Sequence, residues 1–321
     1  DLKVAHCSNT NCTAATITTL DSTGDVGKYT SMTIGADGFG LISYYDDTSR
    51  DLKVAHCSNT NCTAATITAL DEIGDVGEHT SITIGADGLG LISYRDFSNK
   101  DLKVAHCSNT NCTAATTTTL DSTTTSHPGA NTSITIGADG LGLISYQDGT
   151  NFDLKVAHCS NTNCTTATKT TLDSDGNVGK YTSITIDADG LGLISYFDDT
   201  NDNLKVAHCD NTNCSTATKT TLDSTGFVGS NTSITIGADG LGLISYHDNA
   251  NFDLKVAHCS NTNCTAATIT ALDEIGDVGE HTSITIGADG LGLISYYDWD
   301  NKDLKVAHCE NAFCSPYFRR R

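Results

Sequence analysis

The stretch DLKVAHCSNTNCTAAT, residues 51–66, opens a unit that the chain repeats from one end to the other. The copies recur at a period of about 50 residues, which is typical of repeat architectures such as propellers and solenoids. Exact copies, close variants and one degenerate final copy begin at Asp1, Asp51, Asp101, Asp153, Asn203, Asp253 and Asp303. The repeat therefore decides the fold.

Each unit contains four short extended runs. In the second unit they are Leu52–Cys57, Ala65–Leu70, Thr80–Ile84 and Leu89–Tyr94, all rich in Val, Ile, Thr or Tyr and without a helical period. The turn Gly85–Gly88 separates the last two runs, as in a hairpin. Four strands per unit predict an all-β protein in which one repeat forms one propeller blade. A parallel β-helix is the main alternative, although its coils are usually shorter.

A resemblance supports this interpretation. The segment Thr80–Tyr94, followed by Asp101–Ala105, resembles the repeats of bacterial secreted propellers related to the sialidase-like superfamily, and the likeness covers nearly the whole chain. The resemblance implies that the glycine-flanked hairpin joins the innermost strand to the second. The inner strand would then be Thr80–Ile84, and Leu102–Cys107 with Ala115–Leu120 would form the outer pair.

The hairpin count raises the question of ring closure. Under this assignment the sequence holds six inner hairpins and seven outer hairpins. We expect a six-bladed β-propeller of four-stranded repeats over residues 1–302, closed by pairing the last inner hairpin (Thr282–Tyr296) with the first outer one (Leu2–Leu20). Residues 303–321 would be a surplus degenerate hairpin with a basic tail. In the alternative, the C-terminal copy fills its own blade and Leu2–Leu20 is left over.

The cysteines follow one spacing, C-x4-C, with none left over. An even count at regular spacing predicts disulfides within each repeat and an oxidising, extracellular or cell-surface location. The expected pairs are Cys7 with Cys12, Cys57 with Cys62, Cys107 with Cys112, Cys159 with Cys164, Cys209 with Cys214, Cys259 with Cys264, and Cys309 with Cys314.

Glycosylation sequons recur in the same loops. The motif N-x-[ST] on turns of a secreted protein predicts N-linked glycans. It occurs at Asn11, Asn61, Asn111, Asn163, Asn213 and Asn263, and additionally at Asn131 and Asn231.

No cofactor is expected from the repeated metal-ligand residues. A zinc site at the repeated His-Cys pair is disfavoured, because adjacent strand residues such as His6 and Cys7 point to opposite faces. The Asp-Gly turns offer carboxylates to Ca²⁺, but ordinary turn aspartates are the favoured interpretation. Only Asp187-Ala188-Asp189 places two carboxylates close together. These turns contain Asp37, Asp87, Asp139, Asp189, Asp239 and Asp289.

The inventory of charged side chains argues against an enzyme. The sialidase-like enzymes clamp the substrate carboxylate with three arginines near a tyrosine nucleophile, whereas this chain offers only Arg50, Arg95 and the tail Arg319–Arg321. Near-identical blades also leave little room for a singular catalytic constellation. The copies differ mainly after the fourth run, as at Tyr45-Asp46-Asp47-Thr48 and Arg95-Asp96-Phe97-Ser98. A binding face and drift after duplication both explain that variation.

The net charge of −21 makes nucleic-acid binding improbable, because an acidic surface repels phosphates. No apolar run is long enough for membrane insertion.

These observations favour a non-enzymatic extracellular structural protein. Its expected partner is a second copy of itself, joined head to tail into fibres by strand addition from the surplus hairpin. The contact residues would be Leu304, Val306, Tyr317 and Phe318. The alternative is a lectin-like propeller that binds glycans or proteins, although the chain has a single tryptophan for sugar stacking.

Overall fold

The computed structural model describes residues 1–122 and 128–315, in which every regular element is a β-strand. A hairpin of β1 (Leu2–Cys7) and β2 (Ala15–Asp21) comes first. Five four-stranded sheets follow: β3 (Val26–Ile34), β4 (Gly40–Asp46), β5 (Asp51–Cys57), β6 (Ala65–Asp71); β7 (Val76–Ile84), β8 (Gly90–Asp96), β9 (Asp101–Cys107), β10 (Ala115–Asp121); β11 (Pro128–Ile136), β12 (Gly142–Asp148), β13 (Asp153–Cys159), β14 (Ala167–Asp173); β15 (Val178–Ile186), β16 (Gly192–Asp198), β17 (Asn203–Cys209), β18 (Ala217–Asp223); β19 (Val228–Ile236), β20 (Gly242–Asp248), β21 (Asp253–Cys259), β22 (Ala267–Asp273). The last sheet contains β23 (Val278–Ile286), β24 (Gly292–Asp298) and β25 (Asp303–His308).

The fold is a six-bladed β-propeller, as the repeat predicted. Each blade is an antiparallel meander in which consecutive strands pair, and blades 1 to 6 begin with β3, β7, β11, β15, β19 and β23. Within the described part of the chain, no helix has the length and apolar character needed to cross a membrane.

Contacts divide the chain into two compact units. The first comprises Asp1–His6 with Ala15–Ser174, and the second comprises Cys7–Ala14 with Asp175–Arg321. In the first unit the leading strands β3, β7 and β11 contact one another in turn, and β15, β19 and β23 do so in the second. In blades 1 to 5 the second strand is buried on both faces, and in β4 every residue is buried, whereas in β24 of blade 6 buried and half-buried residues alternate. Such two-sided burial explains why these strands are almost continuously apolar.

Within each unit, a buried polar network ties outermost strands to the next blade. Tyr94 of blade 2 is fully buried and donates a hydrogen bond to Asp71 of blade 1 over 2.7 Å, while Lys103 lies 2.5 Å from the same carboxylate. A buried carboxylate needs such partners, because desolvation without them costs several kcal/mol. The tyrosine–aspartate bond recurs in the pairs Tyr44–Asp21, Tyr146–Asp121, Tyr246–Asp223 and Tyr296–Asp273.

The terminal strands pair differently from the expected closure. β24 pairs with β25, with Tyr297 opposite Leu304 and Ser295 opposite Val306, so the C-terminal copy fills its own blade. β1 pairs with β2 alone. The expected pairing of the first outer hairpin with the last inner one was therefore wrong. The β1–β2 hairpin is not left over, since Leu2 is buried in a core cluster with Val26 and Tyr44 of blade 1. A strand that follows its partner through a short turn loses far less loop-closure entropy than one from the other end of the chain.

Candidate functional site

Many of the side chains that differ between blades lie at the start of the first strand and the end of the second. The register pairs Lys28 with Tyr45, Glu78 with Arg95, and Ser230 with His247. The same pair is Ala130 and Gln147 in blade 3, Lys180 and Phe197 in blade 4, and Glu280 and Tyr297 in blade 6. Strands of near-identical sequence thus carry a different pair in each of the six blades.

A bulge places a further variable residue beside each pair. The register of the first strand shifts twice near its start, and the residue at the shift has a left-handed backbone, with φ of 51° at both Tyr29 and His79. This conformation is uncommon for bulky residues, and bulges of this kind often re-aim side chains near binding sites. The equivalent residues are Tyr29, His79, Asn131, Tyr181, Asn231 and His281.

A close approach to the preceding blade fixes this geometry. A Cβ atom on Gly77 would lie 2.7 Å from the Cα of Leu52, and the φ of Gly77 is +102°. Only glycine meets both requirements, so the sequence V-G before the variable residue positions the strand start.

In the first unit these residues form one polar group, the blade-2 cluster, which consists of Tyr29, Tyr45, Asp75, Glu78, His79 and Arg95. The Tyr45 hydroxyl donates a hydrogen bond to Asp75 Oδ1 over 2.6 Å. The Arg95 guanidinium lies 3.3 Å from Glu78 Oε2. The rings of Tyr29 and His79 are in tilted contact, with their centroids 4.3 Å apart and an angle of 41° between their planes.

The electrostatics of the blade-2 cluster differ from those of isolated side chains. Burial raises the pKa of the Glu78 carboxyl; Arg95 opposes this shift, and the nearby charges of Asp75 and Asp47 add to it. Burial, with help from the Arg95 charge, lowers the pKa of His79 to about 4. Burial and the hydrogen bond to Asp75 raise the pKa of the Tyr45 hydroxyl. The cluster therefore keeps His79 neutral near pH 7 and lets Glu78 hold its proton to a higher pH than an exposed glutamate would.

Cations and aromatic rings surround these groups. The Arg50 guanidinium lies 3.9 Å from Asp75, and the Arg95 guanidinium sits 4.9 Å from the ring centroid of Phe97, which is half exposed. An exposed ring beside charged groups offers a ligand an apolar face together with polar contacts, as small-molecule sites do.

The second unit has its own variable residues, with different contacts. The counterpart of the blade-2 cluster at blade 6 consists of Asn231, His247, Asp277, Glu280, His281 and Tyr297. The His247 ring is buried, lies 3.7 Å from Asp277 Oδ1, and neither of its nitrogens has a hydrogen-bond partner. Burial lowers the pKa of His247, while nearby carboxylates oppose that shift. Trp299 packs edge-on against Tyr297 and is 57% exposed.

The predicted disulfides are confirmed. All seven C-x4-C pairs are bridged within their own repeats, with Cα–Cα distances of 4.7 to 4.9 Å. No cysteine is free, which is compatible with an extracellular protein. Cys7 is bridged to Cys12, Cys57 to Cys62, Cys107 to Cys112, Cys159 to Cys164, Cys209 to Cys214, Cys259 to Cys264, and Cys309 to Cys314.

The second cysteine of each bridge has a backbone that the spacing did not predict. It lies outside the strands with a left-handed φ, between 48° and 52°, which is uncommon for a residue other than glycine. The turn explains this conformation, since the Cys62 amide donates a hydrogen bond to the Asn59 carbonyl over 3.0 Å and so folds the loop back towards Cys57. The residues with this backbone are Cys12, Cys62, Cys112, Cys164, Cys214, Cys264 and Cys314.

The sequon asparagines have two settings. Those of the Asn-Cys-Thr/Ser motif are exposed: Asn11, Asn61, Asn111, Asn163, Asn213 and Asn263. Asn131 and Asn231 are half-buried at the start of their inner strands. Glycosylation at these positions stays a prediction.

Most turn aspartates have structural partners. Asp87 accepts hydrogen bonds from the Leu89 amide and from His106, and Asp37 pairs with His56 in the same way. The repeated histidine is thus a hydrogen-bonded strand residue. Of the predicted self-association residues, Leu304 is exposed and Val306 is half-buried on β25, while Tyr317 and Phe318 lie outside the described residues.

The blade-2 cluster was not identified from the sequence. The variation at Tyr45 and Arg95 was visible, but the pattern placed it after the strand, whereas both residues lie within the second strand of their blades. Asp75, Glu78 and His79 are not distinctive in the sequence, because blade 6 repeats them as Asp277, Glu280 and His281.

No protein-family model matches the chain, and no curated protein matches it in sequence. Solved structures share its fold. An α-L-arabinanase of Penicillium chrysogenum aligns with a TM-score of 0.59 at 10% identity, covering 88% of this chain and 92% of that one. An ulvan lyase gives 0.60 at 11% identity, with coverage of 90% and 79%, and the NanB sialidase of Streptococcus pneumoniae gives 0.59 at 9%, with 90% and 68%. The resemblance to sialidase-like propellers is confirmed at the level of the fold.

These comparisons correct the functional expectation. The matching propellers are glycoside hydrolases and a polysaccharide lyase, so the interpretation as a non-enzymatic, fibre-forming structural protein was wrong, and so was the prediction that the chain is not an enzyme. The physical error was to treat the blades as interchangeable. The blade-2 cluster combines Tyr45, Arg95 and a pair of carboxylates in a way that no other described blade repeats.

Proposed function

We propose that this chain is an extracellular carbohydrate-active enzyme that hydrolyses glycosidic bonds at the blade-2 cluster. The observation that carries the proposal is the pair Asp75 and Glu78, two carboxyl groups near one another in different environments. Glu78 has a raised pKa, whereas Asp75 accepts a hydrogen bond from Tyr45 and faces Arg50. Glycoside hydrolysis uses two carboxyl groups with such divided properties.

The roles follow from these environments. Glu78 donates its proton to the glycosidic oxygen as the bond from that oxygen to the sugar carbon breaks. Asp75 accepts a proton from the attacking water, which supplies the new hydroxyl group on the sugar. Tyr45 holds the Asp75 carboxylate in place, and Tyr29 with Phe97 provides aromatic surface for the sugar ring. Seven disulfides support action outside the cell, where polysaccharide substrates occur.

The test is an activity screen on soluble polysaccharides, including arabinan, ulvan and sialylated glycans together with neutral glucans. The purified protein should release reducing ends from at least one of them, without the ultraviolet absorbance of the unsaturated sugar that elimination leaves. Asp75→Asn should abolish the release, while Asp277→Asn, in the same local sequence of blade 6, should retain it. Binding without turnover would overturn the enzymatic proposal, and an unsaturated product would replace hydrolysis by elimination.

A further inference from the structure

The turn between β15 and β16 differs from its counterparts at one residue. Five blades begin this turn with glycine, at Gly35, Gly85, Gly137, Gly237 and Gly287, whereas blade 4 has Asp187. The turn is Asp187-Ala188-Asp189-Gly190, so it carries two carboxyl groups.

In the glycine-containing turns the aspartate and a histidine form a closed pair. Asp139 lies 2.8 Å from His158 and Asp239 lies 2.7 Å from His258, in each case through a hydrogen bond to the imidazole Nε2. In each pair the imidazole Nε2 therefore has a hydrogen-bond partner.

In blade 4 the corresponding aspartate and histidine, Asp189 and His208, do not form this hydrogen bond. The ligand atoms of Asp187, Asp189 and His208 all lie within 4.8 Å of one another. Asp187 is 5% exposed and its Oδ2 has no hydrogen-bond partner; His208 is 3% exposed and its Nε2 also has none. That nitrogen lies 3.0 Å from Asp189 Oδ2, without the geometry of a hydrogen bond.

The added side chain explains this difference. A Cβ atom on Gly85 would lie 2.9 Å from Asp87 Oδ1, so a residue with a Cβ at this position displaces the turn carboxylate. Asp187 brings that Cβ and a second carboxyl group. The Oδ1 atoms of the two carboxylates accept the backbone amides of Ala188 and Leu191, whereas Asp187 Oδ2 and His208 Nε2 are buried without a hydrogen-bond partner. Leaving two such converging polar atoms buried is costly unless a cation binds them.

We propose that Asp187, Asp189 and His208 bind a divalent metal ion of the zinc type. Imidazole nitrogen with carboxylate oxygen is a donor set that Zn²⁺ accepts, usually with three or four protein ligands and water in any open position. Ca²⁺ needs six to eight oxygen ligands, which this site does not offer. The ion would fasten the β15–β16 turn to β17, at the opposite end of β15 from Lys180 and Tyr181.

Calorimetric titration of chelator-treated, untagged protein with zinc chloride tests the site. One equivalent should bind per chain, and the protein should melt at a higher temperature when loaded. Asp187→Gly installs the residue of the other five turns, so it should fold normally and weaken binding at least tenfold. His158→Ala, in the closed pair of blade 3, is the matched control and should leave binding unchanged.

Two outcomes overturn the proposal. Equal zinc binding by the wild-type chain and Asp187→Gly would assign the ion to other groups. Binding of calcium chloride in preference to zinc chloride would contradict the ligand chemistry. As an independent gain-of-site variant, Gly85→Asp should add a second equivalent of zinc, since it recreates the turn of blade 4 next to His106.

Discussion

The first two strands of blades 2 and 6, together with the outer hairpins of the blades before them, have the same sequence in two settings up to Tyr94 and Tyr296. Residues 51–94 and 253–296 are identical, so Asp75, Glu78 and His79 correspond to Asp277, Glu280 and His281. In blade 2, Tyr45 donates to Asp75, whereas in blade 6 the buried His247 stands in place of that tyrosine and Asp277 Oδ1 has no hydrogen-bond partner.

The neighbours on the second strand differ as well. Glu78 faces Arg95 across the sheet, and Glu280 faces Tyr297. His79 is half-buried under the ring of Tyr29, while His281 is exposed. The comparison teaches that the chemistry of these groups is set by residues from adjoining strands and not by their own segment.

The largest expected effect is on catalysis. Glu78→Gln removes the proposed proton donor while keeping its size, so turnover should fall by about 10²- to 10⁴-fold. Glu280→Gln makes the same change in the identical segment of blade 6 and should leave turnover within about twofold of wild type, since it removes no group of the proposed proton transfer. The measurement is the rate of reducing-end release on the substrate found in the screen. Equal losses in the two variants would show that blade 2 has no special role.

A smaller effect concerns stability in acid. The pKa of His79 is about 4 in the folded chain against an ordinary value of 6.5, so the unfolded state binds more protons between these limits. The stability associated with neutral His79 is present above pH 6.5 and is lost as the pH falls towards 4. After allowance for solvent screening this amounts to about 1–3 kcal/mol.

His79→Asn isolates this contribution, since asparagine occupies the same left-handed position in blades 3 and 5 as Asn131 and Asn231. Urea unfolding of the wild type should show a steeper loss of stability from pH 6.5 to 4 than unfolding of this variant. His281→Asn, at the exposed counterpart, should follow the wild type. Parallel profiles for all three proteins would contradict the assigned burial of His79.

The strands and disulfides were predictable, because a period near 50 residues and the C-x4-C spacing both survive in nearly every copy. The candidate site was less visible for a physical reason. The pattern predicted an inner strand of Thr80–Ile84, but the strand begins at Val76. The added residues include Gly77 and the bulge at His79, whose composition is typical of a turn. The site lies in these residues, where a bulge interrupts the alternation on which strand prediction depends.

The smallest expected effect completes the comparison. Asp277 Oδ1 is buried without a partner, 3.7 Å from His247, whereas the Tyr45 hydroxyl donates to Asp75 over 2.6 Å. His247→Tyr should supply the missing donor, because the equivalent position already holds a tyrosine in blades 1 and 6. The Asp277 side chain is 29% exposed, and a hydrogen bond to it is worth about 1 kcal/mol net, so the variant should be more stable by about that amount in urea unfolding at pH 7. His247→Phe provides the ring without the hydroxyl and serves as the control. If both variants gain equally, ring packing explains the effect; if only the tyrosine gains, the absent donor is the difference between the two blades.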